Sequence, residues 1–152
     1  MHYYFIMFKK IHWICLLLIM VSPMLVKAQK PSADADKQII FIENAWDEAL
    51  KQAAAQHKYI FVDAYATWCG PCKMLKATTF KNSKAAVFYN KNFINVALDM
   101  EKGQGPQLAA QWGLQAYPTL IIFNAAGKPV LGTVGFIKAD DLIKFGQAAL
   151  KK

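Results

Sequence analysis

The spacing of hydrophobic and polar positions changes several times along the chain, and each change marks an expected element. Ile11 to about Val26 is a nearly continuous apolar stretch, preceded by Lys9 and Lys10 and interrupted by His12 and Pro23. "QKPSADADKQ" is polar and unpatterned, which predicts a short flexible lead over residues 29–38. Trp46, Ala49, Leu50 and Ala53 then recur at helical spacing within Ala45–His57, and Asn44 is the expected N-cap of that helix. Tyr59–Ala64 is almost wholly apolar, as in a strand covered on both faces, yet it contains Asp63. Pro71 suits the first turn of a helix running to about Thr79, and a short helix is expected to begin at Asn82 or Ser83. "FINVALDM" predicts a strand and "EKGQG" a loop; Pro106 opens a helix that Gly113 ends after Trp112. "PTLIIFN" and "KPVLGTVG" predict two strands joined at "AAG" as a hairpin. "ADDLIKFGQAALKK" predicts a closing helix, with Asp140 and Asp141 well placed against its N-terminal dipole. The order predicts one α/β domain over residues 39–152, with a central mixed sheet and helices on both faces.

Composition changes the picture mainly at the N-terminus. With 152 residues, 55% of them hydrophobic, the chain suits one cored domain plus a removable segment. Residues 1–28 have the layout of a secretory signal: a basic pair, an apolar run, no acid, and "VKA" before Gln29. The competing expectation is an uncleaved membrane anchor over residues 11–26, although that run is shorter than the roughly 20 residues of a spanning helix. Cys15 lies mid-run, which argues against lipid attachment. The formal charge of +8 falls to +5 once the signal's three lysines are set aside, leaving 15 lysines against 10 acids. Arginine is absent and the lysines are scattered, so no nucleic-acid partner is expected.

Removing the signal also removes Cys15 and leaves Cys69 and Cys72. Export places them in an oxidising compartment, and their loop is too small for much entropic stapling. Chemistry is the better use. At a helix N-terminus, free N–H groups and the dipole favour a Cys69 thiolate, the species that attacks a disulfide. Cys72, one turn on, can resolve the resulting mixed disulfide, and Gly70 and Pro71 keep the turn tight. Four-coordinate zinc would need two further ligands, and only His57 remains beyond ordinary carboxylates. No metal is expected, and His57 reads as the exposed end of the first helix.

Together, "VDAYATWCGPCK", "AYPTLIIFNAAGKPV" and "VGFIKADDLIKF" resemble the thioredoxin superfamily over nearly all of residues 39–150. The resemblance implies a thioredoxin fold and a thiol–disulfide oxidoreductase. It implies catalytic roles for Cys69, Cys72 and Asp63, the acid lying buried beneath Cys72 as its general acid/base. It also implies a cis Pro118, a Tyr117 backbone beside Cys69, and a substrate-binding surface of Trp68, Gly70, Pro71, Tyr117 and Pro118. The Gly-Pro dipeptide is that of reducing thioredoxins. No bound cofactor is implied, because electrons come from an upstream dithiol protein such as a membrane thiol:disulfide interchange protein. Disulfide-containing exported proteins would be the clients, in a periplasmic or similar compartment. "FINVALD" departs from cytosolic thioredoxins in lacking the lysine that often partners the buried acid. "TFKNSKAAVFYNKN" and "EKGQG" are instead similar to exported domains, including the C-terminal domain of thiol:disulfide interchange proteins. The alternatives are a disulfide oxidase or isomerase, a cytochrome c maturation reductase, or a non-catalytic module that binds unfolded or cysteine-containing partners.

Overall fold

A strand with two apolar faces belongs in the middle of a sheet, and Tyr59–Tyr65 (β2) lies there. The structure, a computed structural model, describes residues 37–152; the signal expected over 1–28 and lead residues 29–36 lie outside the described residues. Phe93–Asp99 (β3) pairs with β2 in parallel, and Thr119–Phe123 (β4) pairs with its other side antiparallel. Ile42–Glu43 (β1) adds in parallel to β3, and Pro129–Val134 (β5) adds antiparallel to β4. The sheet order is β1-β3-β2-β4-β5, a thioredoxin fold with a mixed sheet.

Alternation along β2 sorts the core into two layers. Ile60, Val62 and Ala64 point toward the helices Trp46–Gln56 (α1) and Gly105–Trp112 (α4), packing with Trp46, Ala49 and Leu108. Phe61 points the other way, toward Gly70–Ala77 (α2), Ser83–Asn92 (α3) and Ala139–Ala149 (α5), through Leu75, Tyr89 and Leu142. Each such fully buried large apolar side chain contributes about 1.5–3 kcal/mol relative to exposure. The α3–α5 contact is tight. A Cβ on Gly146 would come within 2.7 Å of the Phe88 ring and 2.9 Å of the Tyr89 hydroxyl. That hydroxyl donates to the Leu142 carbonyl at 2.7 Å.

Several boundaries differ from expectation, each for a local reason. Asn44 does not cap α1: the N-cap is Ala45, with no side-chain bond. Asn44 instead sits at φ 53°, a left-handed conformation that Asn tolerates, and its Oδ1 accepts from the Asp99 N–H at 2.7 Å. Its own N–H donates to the Ala97 carbonyl, so it prolongs the β1–β3 pairing that the sequence pattern did not predict. Helix α2 stops at Ala77 rather than Thr79. Thr78 leaves helical geometry and turns its hydroxyl onto the Met74 carbonyl, and a 3₁₀ turn over Thr79–Lys81 follows. Asn82 does cap α3, accepting from the Ala85 N–H. Gly113 ends α4 in the left-handed conformation, as the pattern predicts. Gln38, the last residue of the expected lead, is fastened: its carbonyl accepts from Asn90 Nδ2, whose Oδ1 accepts from the Ile40 N–H. No helix among the described residues is long and apolar enough to cross a membrane.

Candidate active site

Cys69 is the N-cap of α2, and its sulfur accepts from the Cys72 N–H at 3.1 Å. Free N–H groups and the helix dipole at this end favour negative charge on that sulfur. Pro71 in the first turn has no N–H to leave unpaired. The two sulfurs are joined as a disulfide, with Cα atoms 5.3 Å apart. Cys69 and Cys72 are only 2% and 1% exposed and pack with Ala66, Tyr65 and Tyr117.

The surface around the pair is built from three loops. Trp68, 66% exposed, meets the ring of Tyr117 edge-on at 6.3 Å and donates its indole N–H to Glu101 Oε1 at 2.8 Å. Glu101 is set by Asp99, whose Oδ1 accepts from the Glu101 N–H and whose Oδ2 pairs with Lys102 at 3.0 Å. The Tyr117–Pro118 peptide is cis, as the resemblance implies. The Pro118 carbonyl accepts from the Gly135 N–H at 2.8 Å, tying this loop to the end of β5. Gly70 and Pro71 are exposed beside Trp68.

Asp63 is fully buried, and neither carboxylate oxygen has a hydrogen-bond partner within the protein. Burial raises its pKa from the ordinary 3.8 to about 7; nearby Lys76 works against that rise and Glu43 adds to it. By alternation Asp63 shares the sheet face of Phe61, the side on which α2 packs with Cys72 and Leu75. Lys76 lies one turn beyond Cys72 on α2, its ammonium 3.5 Å from the centroid of the Tyr65 ring.

All the residues singled out in the sequence therefore fall at the α2 end of β2 or in the adjoining cis-proline loop. Three residues were missed: Glu101, Asp99 and Lys76. Signals for them existed. Lys76 is four residues after Cys72 and so shares its helix face. Glu101 lies two residues past the C-terminal end of β3, which is parallel to β2, and that end of a parallel sheet is where sites gather. A cleft of about 660 Å³, lined by Trp112, Leu114, Ile121 and Leu131, includes none of the sulfur-site residues.

Residues 46–150 match the family model described as a thioredoxin-like domain. A thioredoxin H-type from Chlamydomonas reinhardtii is 33% identical over 113 residues, covering 74% of this chain and 87% of that protein. The chain spans about a fifth of the length of the plant protein disulfide-isomerases it also matches. Among solved structures, a candidate disulphide-isomerase from Bacteroides thetaiotaomicron is 41% identical with a TM-score of 0.68, over 76% of this chain and 96% of that one. The oxidised C-terminal domain of DsbD from Neisseria meningitidis is similar in fold, at 23% identity and a TM-score of 0.61, over 72% of this chain and 99% of that one.

Proposed function

The chain belongs to the thioredoxin-like domain family of thiol–disulfide oxidoreductases and isomerases, and on that premise we propose that it reduces disulfides of exported proteins. The observation that carries the exchange chemistry is the position of Cys69 at the N-cap of α2, with the Cys72 N–H directed at its sulfur; the direction rests on the Gly70-Pro71 dipeptide. Such a sulfur is a good thiolate and therefore a good nucleophile.

In the reductive cycle the Cys69 thiolate attacks one sulfur of a client disulfide and displaces the other as a thiolate. The Cys72 thiol then passes its proton to the Asp63 carboxylate and attacks Cys69. The Cys69–Cys72 disulfide forms and the second client sulfur leaves. Two electrons move from the protein to the client, and the client's two thiolates take up two protons. A dithiol protein upstream must return the electrons; a membrane thiol:disulfide interchange protein fits that need. Exposed Trp68, with Tyr117 beside it, gives an extended client segment an apolar landing next to the sulfurs.

The Gly70-Pro71 dipeptide supports the reducing direction, and the signal-like residues 1–28 support export. A second reading is isomerisation, favoured by the 41% identity to the Bacteroides thetaiotaomicron protein. Equilibrating the Cys69–Cys72 pair against glutathione or dithiothreitol tests the direction. A reduction potential near about −270 mV is the expected result. A value near about −180 mV would favour the isomerase, and one near about −120 mV would make the protein a disulfide donor.

A further inference from the structure

A buried carboxyl that must exchange protons near neutrality needs something to offset its burial, and "FINVALD" offers no lysine for the purpose. The neighbours of Asp63 narrow the choice. β3 places Ala97 opposite it, and β4 places Leu120. Farther along β3, Asp99 is engaged with Lys102. From α3, the Tyr89 hydroxyl donates to the Leu142 carbonyl of α5. From β1 comes Glu43, a like charge. From α2 come Cys72 and Lys76, and Lys76 is the cation acting on the carboxyl.

Its position is not that of a free surface lysine. Tyr65, two residues after Asp63 on β2, faces the same side of the sheet, and its ring lies under the ammonium at 3.5 Å. A cation over an aromatic face is attracted by the ring's negative centre. The long lysine stem is thereby held back from extending into water. Lys76 and Glu43 also line one cleft of about 380 Å³, together with Lys81 of the following 3₁₀ turn.

We propose that Lys76, held on the ring of Tyr65, is a positioning residue for the proton of Asp63, supplying the counter-charge to the carboxylate that accepts the Cys72 proton. The inference rests on the reading of Asp63 given above. The transfer balances within the protein: the Cys72 thiol becomes a thiolate and the Asp63 carboxylate becomes a carboxyl. Lys76 stabilises the acceptor before transfer, and Glu43 opposes it.

The test is a carbon-13 titration of the Asp63 carboxyl in the reduced protein, alongside the pH profile of disulfide exchange. In Lys76→Met both midpoints should rise by about one pH unit, a tenfold gain in proton affinity, and exchange at pH 7 should slow. Lys76→Arg should restore the original midpoints, Tyr65→Leu should move them part of the way toward Lys76→Met, and Glu43→Gln should lower them. An unmoved carboxyl titration in Lys76→Met would overturn the proposal, as would an equal rise in Lys76→Arg. The parent reading fails separately: if Asp63→Asn exchanges disulfides at the unmodified rate, Asp63 is not the proton acceptor.

Discussion

At the scale of single residues, Asp63 exchanges stability for chemistry. Its folded pKa, about 7, lies above the ordinary 3.8, so between those values the folded chain binds more protons than the unfolded one. The contribution of this one group to stability is therefore greatest below about pH 4 and declines as pH rises toward 7, by up to about 4 kcal/mol. Asp63→Asn removes the titration. It should match the unmodified protein near pH 4 and exceed it in urea resistance at pH 8, while exchanging disulfides more slowly. Equal urea midpoints at pH 8 would contradict the burial argument. Glu101→Gln tests the indole contact. Because the pair is exposed, stability should change by less than about 0.5 kcal/mol, but the Trp68 indole N–H resonance should move. Local motifs were legible here and distant partners were not. Cys69, Cys72 and Trp68 announce themselves within one pentapeptide, and Asp63 stands out as an acid in an apolar strand. The Trp68–Glu101 bond spans 33 positions, and the Lys76–Tyr65 contact depends on how α2 lies across β2. Position along the chain hinted at Lys76 and Glu101 singly, but neither contact has a periodicity that a pattern could register.

At the scale of elements, the long strands and helices followed their periodicity, while the short connections followed tertiary contacts. β1 has two residues, too few to show alternation, and it exists because the edge of β3 is there to receive it. Asn44 looked like a cap because it precedes an amphipathic run; the Asp99 N–H, 55 positions away, took its side chain instead. Losing that acceptor in Asn44→Ala should cost about 1 kcal/mol, measurable by denaturant unfolding. Gly146 in α5 is a helix interior glycine where alanine would ordinarily gain up to about 1 kcal/mol. Here the added methyl meets the half-buried Phe88 ring and a buried Tyr89 held by its own hydrogen bond. Overpacking of about 1–3 kcal/mol should prevail, so Gly146→Ala is expected to lower the urea midpoint. A raised midpoint would mean that α3 and α5 can separate at little cost.

For the molecule as a whole, redox state and fold stability are linked, because whichever state is more stable biases the electron equilibrium. A reductant requires the disulfide form to be the more stable, whereas strong oxidants of this fold stabilise the dithiol. Guanidinium unfolding of both forms should therefore show the higher midpoint for the oxidised protein; the reverse order would assign it to disulfide donation. The sheet order adds a consequence for how the molecule comes apart. Proteins open first where few neighbours hold them, and here those places are the outer strands β1 and β5. β2, which leads into the cysteines, is paired along its whole length by β3 and over Ile60–Ala64 by β4. Its amides should exchange with solvent more slowly than those of either edge. A molecule worn by heat or denaturant would lose its margins while the strand beneath the dithiol still held, so its chemistry should outlast its outline.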